Sequence, residues 1–145
     1  MKGLIQRVKS ASVKIDGDIF SQINNGFLIL LGVEKGDSEA NADKLAEKIS
    51  KLRIFEDEND KMNLSIQDVS GEILVVSQFT LAGDCKKGTR PSFDKAELPQ
   101  RANELYEYFV SKLKEYNIPT KTGKFGAMMD VELINDGPVT FMLEF

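Results

Sequence analysis

Ile73-Leu74-Val75-Val76-Ser77-Gln78-Phe79-Thr80-Leu81-Ala82 is the stretch on which the fold turns. Its four leading apolar residues read as a strand buried on both faces, the kind found inside a sheet rather than at its rim. Ser77, Gln78 and Thr80 then set three hydrogen-bonding side chains where that strand ends. Backbone amides and hydroxyls can converge on a ligand there, or Ser77 and Thr80 can simply satisfy local backbone groups. The segment alone leaves both readings open.

Upstream, residues 2–15 read as a long strand, with Leu4, Val8, Val13 and Ile15 among polar partners and Asp16-Gly17 as the turn signal. Ile19–Ile23 pairs back, Asn24-Asn25-Gly26 turns again, and Phe27–Val33 is an apolar strand. Asp37 or Ser38 can cap a helix carrying Leu45, Ile49 and Leu52 on one stripe. Leu52–Phe55 leads into a turn over 56–60, after which Met62, Leu64 and Ile66 alternate as a strand. Downstream, a helix from Pro99 to Tyr116 aligns Ala102, Leu105, Tyr106, Phe109 and Leu113. Two closing strands, Met129–Ile134 and Val139–Phe145, flank Asn135-Asp136-Gly137-Pro138, four turn formers that read by default as a hairpin turn. The expected class is α+β: a mixed, mostly antiparallel, barrel-like sheet with two main helices, in one domain over residues 1–145.

Composition narrows the chemistry. The 145 residues include no histidine and one cysteine, Cys85. Ser-His-Asp and Cys-His triads, His-ligated metals, internal disulfides and Cys-based zinc or iron–sulfur sites are thereby excluded. No metal or cofactor is expected. Carboxylates, hydroxyls, lysines, backbone amides or the substrate itself must carry any reaction. Lys2, Arg7 and Lys9 interrupt the start where a signal peptide needs an apolar run, and no stretch approaches the roughly 20 apolar residues of a membrane helix. A soluble cytoplasmic protein is expected.

Net charge is −4, but residues 83–126 hold nine Lys/Arg against six Asp/Glu. A basic surface can therefore exist on an acidic protein. Lys112 and Lys114 read as a solvated helix face. Lys86, Lys87 and Arg90 sit in a Gly-bounded loop just after the buried strand, which suits phosphate or sugar contact. Gly83 and Gly88 have the spacing of a phosphate-binding loop, yet Thr89-Arg90 follows where Lys-Ser/Thr is required. Glu56–Asp60 lacks the central Gly and distal Glu of an EF-hand and reads as a solvated turn. Cys85 has no histidine to ionise it.

The Ser77–Ala82 and Asn135–Thr140 segments, at their separation, resemble the D-aminoacyl-tRNA deacylases, also called D-tyrosyl-tRNA deacylases. The similarity continues through Leu4-Ile5-Gln6-Arg7-Val8, Leu31-Gly32-Val33, Lys61-Met62-Asn63-Leu64, Arg90-Pro91-Ser92-Phe93 and Gly123-Lys124-Phe125, and so spans essentially the whole chain. Gly126–Met129 matches more loosely, with Met129 still at a pocket position. The resemblance implies a homodimer that hydrolyses the ester between a D-amino acid, or glycine, and the terminal ribose of tRNA. Active sites would lie at the dimer interface. Gln78, Phe79 and Thr80 would be catalytic, and Ser77, Phe125 and Met129 would border the substrate. Gly137 and Pro138 would enter from the partner as a Gly-cis-Pro pair and reject L residues. Lys86, Lys87, Arg90 and Lys124 are the candidate tRNA contacts.

A histidine-free chain suits this reaction, because an aminoacyl ester is already activated and carries a neighbouring 2′-OH. Three rival classes remain at this level: an RNA-binding module without turnover, a small-ester hydrolase using Ser77 or Thr80 with Lys86, and a structural dimer.

Overall fold

A computed structural model describes residues 1–145. Its elements in chain order are β1 (Lys2–Ile15), β2 (Asp18–Ile23), β3 (Gly26–Gly32), α1 (Glu39–Lys51), β4 (Arg53–Glu56), β5 (Met62–Ser65) and β6 (Glu72–Ser77). A 3-10 turn over Phe79–Ala82, α2 (Pro99–Glu115), β7 (Thr120–Thr122) and β8 (Asp130–Glu144) complete the chain.

The spine is β1. Its first half pairs antiparallel with β3, its second half with β2, and its other edge with β8 along nearly its whole length. β3 and β6 then run parallel, as do β6 and β7, and β4–β5 form a separate antiparallel pair. Side chains, not a ladder, draw the two ends of the main sheet together. The Ser21 hydroxyl donates to Thr122 O at 2.7 Å and Lys121 Nζ to Gln22 O at 2.7 Å, bringing β2 to β7. The sheet is thus nearly closed into a barrel, as expected.

Strand alternation divides the core. Ile5, Phe27, Ile29, Leu31, Ile73 and Val75 face the helices and pack with Leu45 and Ile49 of α1 and with Leu105, Phe109 and Leu113 of α2. The residues between them, Val8, Leu28, Leu74 and Val76, join Val13 and Ile23 inside the barrel. Both faces of β3 and β6 are therefore buried, which is why each reads as an unbroken apolar run.

Ser38 rather than Asp37 begins α1: Asn41 Oδ1 accepts the Ser38 N–H at 2.8 Å and its hydroxyl at 3.0 Å. Asp37 instead receives the Met1 amino group at 2.6 Å and the Glu34 N–H at 2.7 Å.

One expectation is corrected. Asn135–Pro138 is not a hairpin turn between two strands. β8 runs straight through it, antiparallel to β1 on both sides, with Val8 opposite Asn135 and Gln6 opposite Thr140. Five steps along β8 match two along β1, so three residues bulge out. Asn135 closes the bulge, accepting the Val139 N–H at 2.7 Å and donating to Val139 O at 3.2 Å. Turn-forming residues here make an outward fold within a strand instead of reversing it. The strand β7, Thr120-Lys121-Thr122, was not expected, because it has no apolar alternation.

Tyr106 fastens α2 to the end of β6. It is buried, and its hydroxyl donates to Val75 O at 2.9 Å. Burial pushes its phenol up to about 12, against 10.0 for the free group. The neutral phenol therefore stabilises the fold fully below pH 10, and that contribution is lost as pH rises towards 12. Val75 O also accepts the Gly123 N–H at 3.0 Å, so it is not orphaned when the hydroxyl is removed. Tyr106→Phe should cost about 1 kcal/mol at neutral pH and abolish the part of the alkaline stability loss that Tyr106 causes. Urea unfolding at pH 8 and 11 checks both. An identical alkaline loss in parent and variant would contradict the assignment.

Candidate active site

At the C-terminal end of β6 the chain leaves the sheet but stays attached to it. Gln78 N–H donates to Leu31 O at 2.8 Å, and the 3-10 turn then lies over Gly32. A Cβ at Gly32 would sit 2.9 Å from Leu81 Cβ and 3.2 Å from Gln78 O, so only glycine lets the turn pack this closely.

Within the turn, the Leu81 N–H bonds back to Gln78 O and the Gly83 N–H to Thr80 O. The N–H groups of Phe79 and Thr80 open the turn and have no partner in the chain, as the first donors of any helical turn must. Both residues are exposed. Two unpartnered backbone donors therefore belong to exposed residues at the end of the β6 strand. The Thr80 hydroxyl oxygen accepts from the Gln78 side-chain amide. No carboxylate or amine bonds to it, so nothing here can take its proton.

Phe79 is held edge-on against Phe93, with ring centroids 5.1 Å apart. Ser77 is half-buried at the strand end. Phe125 and Met129 border the same end from the other side. The Gly123 N–H binds Val75 O, Met129 lies over Gly123, and the Phe125 ring is 5.8 Å from that of Tyr106. The structure thus brings Ser77, Gln78, Phe79, Thr80, Phe125 and Met129 to one end of the parallel strands.

Lys86, Lys87 and Arg90 are exposed on the loop that follows. Reciprocal backbone bonds between Asp84 and Ser92, at 2.8 and 2.9 Å, pinch the loop at its base, and Asp84 Oδ1 takes the Lys86 N–H at 2.9 Å. Lys124 is exposed beside Phe125.

Gly137 and Pro138 are elsewhere. They are exposed on the β8 bulge opposite Arg7, the peptide between them is cis, and Gly137 has a φ of +141° that L side chains rarely adopt. Arg7 is level with Phe27 and Ile73, four residues short of the Leu31–Ser77 pair. The bulge therefore lies about 13 Å from Ser77 along the strands and three strands away across the sheet, about 14 Å. One chain does not bring its two signature segments together.

Arg7 carries that bulge and was not singled out by the sequence. It is 3% exposed. Its Nε donates to Asp136 O at 2.9 Å, and its Nη1 to Ile54 O at 2.6 Å and Glu56 Oε2 at 2.9 Å. Only its place in a β-strand of otherwise alternating residues could have marked it.

Comparison with known proteins follows the same outline. The family model described as D-Tyr-tRNA(Tyr) deacylase matches residues 4–144. A D-aminoacyl-tRNA deacylase of Pseudoalteromonas translucida (strain TAC 125) is 62% identical over 143 residues, covering 99% of each chain. Its counterpart in Geotalea daltonii (strain DSM 22248 / JCM 15807 / FRC-32) is 61% identical over 144 residues, covering 99% of this chain and 96% of the relative. A solved structure described as c-Myc DNA Unwinding Element Binding Protein superposes with a TM-score of 0.93 at 41% identity, over 100% of this chain and 99% of that one. A second, described as a probable eukaryotic D-amino acid tRNA deacylase, gives a TM-score of 0.85 at 14% identity over 98% and 97% of the two chains, a likeness of fold alone. A near-complete family match, close relatives along the full length and a shared barrel agree: the chain belongs to the D-aminoacyl-tRNA deacylase family of hydrolases.

Proposed function

We propose that residues 1–145 form one deacylase domain that hydrolyses the ester of D-aminoacyl-tRNA, and of glycyl-tRNA including glycine mischarged on alanine tRNA. It acts in the cytoplasm as a homodimer with active sites at the interface. One observation carries this reading. The free Phe79 and Thr80 amides and the Gly137–Pro138 bulge are both exposed, but too far apart in one protomer to act on one substrate. A second copy supplies the missing half.

In the proposed reaction, water attacks the ester carbonyl, oriented with help from the ribose 2′-OH. The Phe79 and Thr80 N–H groups receive the tetrahedral oxyanion; one such donor is typically worth about 10²–10³ in rate. The bond to the ribose 3′-oxygen then breaks, and that oxygen leaves as a hydroxyl with the proton given up by the water. Gln78 holds the Thr80 side chain, while Ser77, Phe125 and Met129 border the amino acid and adenosine. No cofactor or metal takes part.

Selectivity arises by exclusion. Gly137 and Pro138 of the partner subunit aim their carbonyls at the substrate Cα, leaving room for hydrogen but not for an L side chain. A site built this way accepts many D residues, and glycine with them.

With EDTA present, purified protein should release D-tyrosine, D-aspartate and glycine from tRNA while L-tyrosyl-tRNA stays intact. Cleavage confined to one D residue, or equal cleavage of the L ester, would contradict the exclusion mechanism.

Thr80→Ala keeps its backbone N–H, so it should retain activity within about tenfold of the parent, the loss of one hydrogen bond. Near-complete loss, with an acyl-Thr80 adduct in the parent by mass spectrometry, would instead make Thr80 the nucleophile.

Each Lys or Arg that binds a phosphate steepens the salt dependence of affinity by roughly 0.7–0.9. The Lys86→Ala/Lys87→Ala double variant should therefore lower the slope for tRNA binding by roughly 1.5. An unchanged slope removes this pair from the contact surface.

A further inference from the structure

A groove of about 440 Å³ runs between α2, β2 and the chain after β7, and Phe125 is where it meets the candidate active site. We propose that this groove seats the penultimate nucleotide of the tRNA acceptor end, the cytidine that precedes the terminal adenosine. The inference rests on the deacylase reading and extends its substrate contact by one residue.

Four features fit a single-stranded nucleotide. Phe20, on the wall formed by β2, is 51% exposed and stacks on no other aromatic ring. An unpartnered ring of this kind is a platform for a base. Lys114 and Lys124 project from α2 and from the segment beside Phe125. Neither is within ion-pair distance of a carboxylate, whereas their neighbours are engaged: Lys112 with Glu115 at 3.0 Å, and Lys121 with Gln22 O at 2.7 Å. Two free ammonium groups in the same groove as an exposed aromatic ring suit the phosphates that flank a stacked base.

Glu107 is the fourth feature. It is the only carboxylate lining the groove, and it receives a single long bond from Asn103 Nδ2 at 3.5 Å. An acid would oppose a phosphate, but it suits the exocyclic amine of cytosine, which donates to Glu or Asp. Uracil has a carbonyl there and would meet the carboxylate with two acceptors facing.

The test compares intact D-aminoacyl-tRNA with 3′-D-aminoacyl-adenosine, which lacks the penultimate nucleotide. Phe20→Ala should raise KM for the tRNA roughly tenfold, as expected for one lost base stack. Its kinetics on the adenosine ester should not change. Lys114→Ala should lower the salt slope of KM by roughly 1 on the tRNA alone. Glu107→Gln should narrow the preference for cytidine over uridine at the penultimate position. Anisotropy with an uncharged acceptor-stem minihelix reads the same contacts without turnover. Loss of parental hydrolysis with groove-dependent minihelix binding intact would therefore strike the deacylase reading and leave the groove standing. Unchanged tRNA KM and minihelix affinity in all three variants would overturn the groove, as would equal losses on both ester substrates. Unchanged RNA binding together with an altered sedimentation coefficient for Phe20→Ala would assign the surface to a second copy and also overturn it.

Discussion

A guanidinium buried in the middle of a sheet needs partners for its donors, and Arg7 finds them on two other strands. Ile54 O and Glu56 bring β4, Asp136 O brings β8, and the Phe55 ring lies 6.0 Å from its centre. Arg7 is 3% exposed but Glu56 is 43% exposed, so solvent screens that ion pair and the bonds to Ile54 O and Asp136 O make the firmer link. The carbonyl of Asp136 can reach Arg7 only if β8 departs from regular pairing, and the departure is the bulge that exposes Gly137 and Pro138. The same contact that satisfies the cation thus fixes the most conspicuous surface feature of the sheet. Lysine, a point donor, could not bridge a strand carbonyl, a carboxylate and the bulge at once.

This arrangement separates the two candidate functional segments within one protomer. The turn with the free amides hangs from the end of β6, beyond Leu31, while the bulge is opposite Arg7 and level with Ile73. Sheet geometry prevents either from reaching the other in one protomer. The open edge of β8 carries Ile134, Phe141 and Met142 exposed to solvent, a long apolar strand edge of the sort that monomeric proteins normally blunt. A second copy would cover such an edge and complete the site in one step. In the proposed reaction a chain with no histidine, and with no carboxylate or amine bonded to Thr80, would contribute position, amide dipoles and shape. An activated ester needs little more.

Much of this was legible in the sequence because the sheet obeys simple alternation. Ile73–Val76 announced a strand buried on both faces and Phe27–Val33 an apolar strand, and of the expected stripe Leu45, Ile49 and Leu52 the first two lie on the inner face of α1 while Leu52 caps its end. What escaped notice did so for physical reasons. Thr120–Thr122 is a strand because β6 offers a free edge, and three polar residues give no periodic signal of that. Asn135-Asp136-Gly137-Pro138 has turn chemistry, and whether such residues reverse a chain or bulge from it depends on β1 continuing alongside, a long-range fact. Ser77–Thr80 could be recognised as polar groups at a strand end. That the Phe79 and Thr80 amides are free follows only from the 3-10 turn, and Arg7 became meaningful only once β4 and β8 were seen to meet on it.

Mixing two blocked variants tests most directly whether each site is built from two copies. Thr80→Tyr fills the pocket of its own protomer, and Pro138→Trp fills the pocket of its partner, so each should be inactive alone. Co-refolded in equal amounts, half of the dimers are mixed, and each mixed dimer keeps one site with neither block. Recovery of about a quarter of parental D-aminoacyl-tRNA hydrolysis is predicted for a cross-subunit site with random pairing. A mixture as inactive as its components would mean that each chain carries its whole site, and the shared-site assignment would be wrong.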